Sequence, residues 1–238
     1  MKKSPARPCS LCGTRKGGCL TALSTSAFER LEGDVATHLF RRGDVLFHAG
    51  TPAHSLYVLR SGQAKVYLTG SDGEERVVRL LGPGEMLGYR PLCAGETYGA
   101  SASAVTDAEV CIIPWPVLRE TLRQEPELAL ELLAKLAREL RISEELMMDL
   151  VCRPVRQRAA RLLLGLLHTR QDAPEPATIL AAELKRKDMA RMIGTTPETF
   201  SRVLRAFALR GIVGLARDRI TVRNRALLRR AAGEADPA

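Results

Sequence analysis

The stretch LKRKDMARMIGTTPETFSRVLRAFALRGIVGLARDRITV, residues 184–222, decides the fold. Met189, Met192 and Ile193 set apolar side chains at helical spacing ahead of Gly194, and PETFSRVLRAFALRG then runs as a second amphipathic segment. Thr196 suits the cap of that second helix because its hydroxyl can accept from first-turn amides. Pro197 suits the first helical position, where a missing N–H costs nothing. Two helices joined at a glycine, followed by two short strands in GIVGLARDRITV, predict a helix-turn-helix with a wing. On the second helix Phe200, Val203, Leu204 and Phe207 share one side, and Glu198, Ser201, Arg202 and Arg205 share the other. Arginine can bind both acceptors of a guanine edge and glutamate can accept from cytosine, so the polar row has the chemistry of a major-groove reader. Thr196 joins it at the helix start, with Lys185 and Lys187 as candidate phosphate contacts. The competing reading is an ordinary solvated helix face.

Charge supports the first reading. Residues 151–238 carry 18 Lys/Arg against 8 Asp/Glu, whereas residues 1–150 carry 18 against 19. Clustered cations are rewarded by a polyanion through counterion release, so the C-terminal third is expected to meet nucleic acid. With 238 residues and 45% hydrophobic content the chain can hold two cores, since domains run about 100–200 residues. No stretch approaches the roughly 20 uncharged apolar residues of a membrane span, and the basic start MKKSPARPCS leads into no apolar run. No membrane partner is expected, and the cytoplasm is the expected compartment.

Upstream, residues 39–88 show short β-rich runs punctuated by Gly43, Gly50, Gly62, Gly73 and Gly84, with strands continuing to Pro114. An antiparallel barrel or jelly roll is predicted. From about Pro126 the period changes: Leu133, Leu136, Leu140, Ser143, Met147 and Leu150 recur at spacings of 3 and 4, the seam of a dimerisation helix. A helix packed on its own barrel could carry the same stripe. Pro154 ends or kinks that helix, VRQRAARLLLGLLHTR begins another, and QDAPEPAT reads as a loop. The fold class is α+β, in four parts: a cysteine-bearing segment at 1–24, a sensor barrel at 25–122, the dimerisation helix at 123–152 and the winged helix-turn-helix at 153–238.

Three of the six cysteines crowd into CSLCGTRKGGC, residues 9–19. In a reducing compartment such a cluster points to metal or redox chemistry rather than a structural bridge. A zinc site is possible, although the paired short-spaced knuckles usual for zinc are missing.

The chain resembles the CRP/FNR superfamily of bacterial transcription regulators. RRGDVLFHAG, LYVLRSGQAKVY and GPGEMLG match the sensor barrel, and PETFSRVLRAF matches the recognition helix. Glu198, Ser201 and Arg202 are similar to the FNR branch, which implies a dimer reading a TTGAT-N4-ATCAA-like palindrome, with promoter DNA and RNA polymerase as partners and no enzymatic activity. The resemblance also implies a [4Fe–4S] cluster held by Cys9, Cys12, Cys19 and Cys111, sensing oxygen, redox state or nitric oxide; such clusters are commonly bound by four thiolates. The gap between Cys12 and Cys19 is one residue longer than in the best-known members, and Gly17 and Gly18 can absorb it. Cys93 is a substitute fourth ligand; otherwise Cys93 and Cys152 are expected to be buried or incidental thiols. Ser143 stands where the best-known member has an aspartate that resists pairing, which implies a more stable apo dimer. Cyclic-AMP-binding members have a glutamate after the glycine matching Gly88 and a later Arg-Ser or Arg-Thr pair; here Tyr89 and ETYGASASA stand there, with Arg90 nearby, which argues against a cyclic nucleotide. Thiol oxidation without metal, zinc, haem through His48, His54 or Cys93, and a small-molecule effector remain the alternatives. An iron–sulfur enzyme or electron carrier ranks last.

Overall fold

In the computed structural model of the chain, the described residues are 2–3, 33–168, 177–180, 184–217 and 219–234. Cys9, Cys12 and Cys19 lie outside them. The chain divides into two compact units, Met1–Gly73 with Arg79–Ile142, and Glu74–Val78 with Ser143–Ala238.

The period-two runs become strands β1 (Lys2–Lys3), β2 (Ala36–Phe40), β3 (Val45–Phe47), β4 (Ser55–Ser61), β5 (Ala64–Thr69), β6 (Glu75–Leu81), β7 (Met86–Leu87), β8 (Ser101–Ala104) and β9 (Ala108–Pro114). One sheet has the order β1-β2-β9-β4-β7 and the other β3-β8-β5-β6. Phe40, Leu59, Leu87 and Val110 from the first sheet meet Leu46, Leu81, Ala102 and Ala104 from the second in one buried cluster, which is the filled interior of a jelly roll. Gly62 is indispensable to the hairpin between β4 and β5. Its φ is +79°, and a Cβ there would lie 2.3 Å from the carbonyl oxygen of Asp107.

Alternation along β9 separates two cores. Val110 belongs to the barrel interior, whereas Cys111 and Ile113 face outward into a second cluster with Leu56, Val58 and Met86. That layer is covered by α1 (Tyr89–Ala94), α2 (Trp115–Gln124) and the first half of α3 (Pro126–Cys152) through Tyr89, Leu92, Leu118, Leu128 and Leu132.

The second unit is built on α4 (Val155–His168), α5 (Arg186–Met192), α6 (Pro197–Leu209) and α7 (Arg225–Ala232). A three-stranded sheet ordered β10-β12-β11 joins them, made of β10 (Ala177–Leu180), β11 (Val213–Leu215) and β12 (Arg219–Val222). The wing hairpin matches the sequence reading. The loop assigned to QDAPEPAT is corrected at its end: Ala177 pairs with Val222 and opens β10, because an extended backbone after Pro176 finds a partner strand.

Candidate nucleic-acid interface

The turn between α5 and α6 is fixed by local chemistry. Thr196 caps α6, its hydroxyl oxygen accepting from the Thr199 amide at 3.2 Å, and Pro197 occupies the first turn. Phe200, Leu204 and Phe207 are fully buried, as are Met189 and Ala190 of α5, so one side of each helix is committed to the core. Those residues leave Glu198, Arg202 and Arg205 exposed in a row, with Ser201 half-buried at its edge. Arg202 is held within that row, its guanidinium donating to Thr199 Oγ1 at 3.1 Å. Lys185 lies at the N-terminus of α5 and is exposed. Lys187, also exposed, has its ammonium 3.3 Å from Glu74, which also receives Arg191 at 2.9 Å, and these two cations hold the Glu74 carboxyl below its usual range.

Two features were not singled out in the sequence. Arg186 donates to the Ala216 carbonyl at 2.7 Å and ties the first helix to the wing. Arg217 is exposed at the wing's turn, beside the reading row in chemistry if not in sequence. An arginine in a hairpin turn was the available signal.

The end of α3 is anchored inside this unit. Buried Asp149 receives Arg153 at 2.5 Å and Arg161 at 2.6 Å, and Arg158 donates to the Leu150 carbonyl at 3.0 Å, satisfying a helix-end acceptor. A Cβ on Gly194 would lie 2.9 Å from Leu150 Cδ2. Leu150 therefore packs beside the helix-turn-helix glycine while remaining 46% exposed.

The rest of the seam splits. Leu133, Leu140 and Met147 are 58–63% exposed, and Ser143 is exposed as well. Leu136 instead packs partly against the core of the first unit, because it follows Leu128 and Leu132 at intervals of four. That position is shared between the barrel-facing stripe and the half-exposed side of the helix.

In the first unit, three cations converge on one carboxylate. Glu139, 9% exposed, receives Arg90 at 2.6 Å, Arg79 at 2.8 Å, Lys135 at 3.1 Å and the Tyr89 hydroxyl. Burial pushes the carboxyl up, but the Tyr89 hydrogen bond and the Arg79, Arg90 and Lys135 charges outweigh it and hold it at about 2. Burial and the hydrogen bond to Glu139 push the Tyr89 hydroxyl up to about 12. Sequence reasoning missed this cluster; its signal was one glutamate on an apolar stripe.

Of the four expected thiolate ligands, Cys111 alone is among the described residues. It is 7% exposed, with its sulfur 3.7 Å from Thr37 Oγ1. Its side chain lies outside the barrel interior, on the layer that the helices cover, so a ligand role needs no opening of the barrel itself. Cys93 and Cys152 are exposed, so of the two expectations, buried or incidental, burial does not hold. Cys93 follows the inward-facing Leu92 on a short helix and is turned away from the core. His48 and His54 are exposed. Among the described residues no three His, Cys, Asp or Glu side chains form a metal-binding group, and no helix is long and apolar enough to cross a membrane.

Residues 37–125 match the cyclic nucleotide-binding domain and residues 157–231 the Crp-like helix-turn-helix domain. The chain is 35% identical to the cyclic AMP receptor protein of Thermus thermophilus, over 87% of this chain and 89% of that one. It is 30% identical to the transcriptional activator protein anr of Pseudomonas aeruginosa, over 73% and 70%. Among solved structures it resembles FixK2 from Bradyrhizobium japonicum, at 27% identity and a TM-score of 0.72, over 86% of this chain and 99% of that one.

Proposed function

The chain belongs to the CRP/FNR family of DNA-binding transcription regulators, and from that premise we propose that it is an FNR-type regulator that senses oxygen or redox state and reads a TTGAT-N4-ATCAA-like palindrome as a dimer. The observation that carries the reading is α6: its Phe200–Leu204–Phe207 face is buried, and its Glu198–Arg202–Arg205 face is left exposed. Each side chain in that row can make a base-edge contact, and each copy would read one half-site. Lys185 and Lys187 supply phosphate contacts that set register without base identity. The exposed Leu133, Leu140 and Met147 row, with Ser143 within it, is the pairing surface for a second copy. RNA polymerase is the partner through which promoter occupancy acts.

Cys9, Cys12, Cys19 and Cys111 would hold a [4Fe–4S] cluster; when bound, it supplies redox chemistry that oxygen or nitric oxide can disrupt. Cys111 supports this by its place on the helix-covered layer beside α3, so ligation there can bias the helix that pairs. Two measurements test the reading. Anaerobically purified protein should hold iron and sulfide and bleach in air, and it should bind the palindromic duplex more tightly than single-base variants. Colourless protein holding zinc would remove the iron–sulfur reading. Equal affinity for all duplexes would remove the reader assigned to α6.

A further inference from the structure

Helix α3 carries apolar side chains on more than one row. Leu128 and Leu132 are buried and Leu136 half-buried against the first unit, while Leu130, Leu133, Leu140 and Ile142 are 48–63% exposed. Apolar contact is non-directional. Rolling the helix by one residue would exchange Leu128, Leu132 and Leu136 for Ala129, Leu133 and Ala137, so leucine burial sets the row as far as Leu136; beyond it the stripe offers no leucine, whereas Leu140 stands one residue past Glu139.

Beyond Leu136 it is Glu139 that chooses. It continues the Leu132–Leu136 stripe by three residues and meets Arg79 from β6, Tyr89 and Arg90 from α1, and Lys135 from its own helix. A one-residue roll would carry Leu140 toward those cations and Glu139 into water, leaving the partly buried Arg79 and Lys135 without the carboxylate that compensates their desolvation. The wrong setting is penalised far more than the right one is rewarded, as with a single polar residue that fixes register in an apolar helix seam.

We propose that Glu139 is the orientation-fixing residue of the long helix: its ion cluster with Arg79, Arg90 and Lys135 locks α3 in one rotational setting on the barrel. The lock thereby selects the Leu133–Leu140 row as the surface offered to a second copy. The selection of a pairing row rests on the dimer reading given above, whereas the lock itself does not.

The test uses the full chain in two forms. In the first, Arg79→Met, Arg90→Met, Lys135→Met and Glu139→Leu are combined, removing every charge of the cluster while keeping its volume. Replacing a buried ion cluster by packed apolar groups should leave urea stability unchanged or higher, while pairing measured by sedimentation weakens by about tenfold or more because several rows now compete. A stable variant that pairs like the wild type overturns the proposal, because the cluster would then be merely structural. The second form, Glu139→Gln, keeps the fold question separate. Amide exchange of residues 132–142 should accelerate by about tenfold or more, while that of β9 stays unchanged. Unchanged exchange in α3 also overturns the proposal, including in the case where the fourfold variant does not fold. A wild-type protein that is monomeric at every concentration defeats the dimer reading alone, and the exchange experiment still decides the lock.

Discussion

Acid should weaken the hold of the barrel on α3, and Glu139 is the group through which this happens. In the folded chain its carboxyl is held at about 2 against an ordinary 4.5. The difference corresponds to about 3 kcal/mol of stability. The folded value lies below the unfolded one, so the contribution is complete above about pH 4.5 and is lost as pH falls toward 2. At pH 3 the unfolded chain has taken up its proton and the folded chain has not, so about 2 kcal/mol of the 3 is already gone. The groups that face Glu139 are Arg79, Arg90, Lys135 and Tyr89, and Glu85 also faces Arg79 at 3.4 Å. Urea unfolding of the wild type and of Glu139→Gln between pH 7 and pH 3 isolates the effect, because every other carboxylate titrates in both proteins. The gap between the two should shrink by about 2 kcal/mol on acidification. A gap of constant size would show that the cations do not hold the carboxylate in solution, and the reasoning would fail.

Arg202→Ala should cost about 1–3 kcal/mol of DNA affinity and relax preference at one base pair of each half-site, read by titrating single-base variants of the palindrome. Lys185→Ala and Lys187→Ala should instead weaken all duplexes alike and lower the salt slope by about one unit per lost contact, with the ranking of variants preserved. Gly194→Ala forces a side chain into a φ of +61° and against Leu150, so thermal unfolding should register a loss of about 1–2 kcal/mol or more. Cys111→Ser should abolish iron retention under anaerobic purification, and Cys93→Ser should not; the reverse outcome would move the fourth ligand to the exposed thiol of Cys93.

The helix-turn-helix was legible because each local signal agreed with the next: Thr196 and Pro197 start α6, Gly194 turns the chain at positive φ, and the aromatic face is buried where the period puts it. The jelly roll was legible for a similar reason, since Gly43, Gly50, Gly62, Gly73 and Gly84 all take the left-handed conformation that a side chain resists. What failed was the choice among equivalent rows on α3. Spacings of 3 and 4 fit Leu133–Leu136–Leu140 and Leu128–Leu132–Leu136 equally, and only contacts distant in sequence, Arg79 and Arg90 with Glu139, distinguish them. β10 was missed because Pro174 and Pro176 read as a loop, and strand pairing with β12 is not a local property.

The same helix therefore carries two kinds of information in two halves. Near Glu139 it is positioned by a charge cluster with the barrel's own residues, and near Asp149 by a second buried carboxylate held between Arg153 and Arg161. A buried carboxylate with arginine partners tolerates little displacement, because separating the charges by even a few ångströms exposes each to the desolvation cost the other was offsetting. Between the two carboxylates lie Leu140, Ser143 and Met147, all exposed. Under the dimer reading proposed above, this exposed stretch is the part of the helix that a second copy would meet.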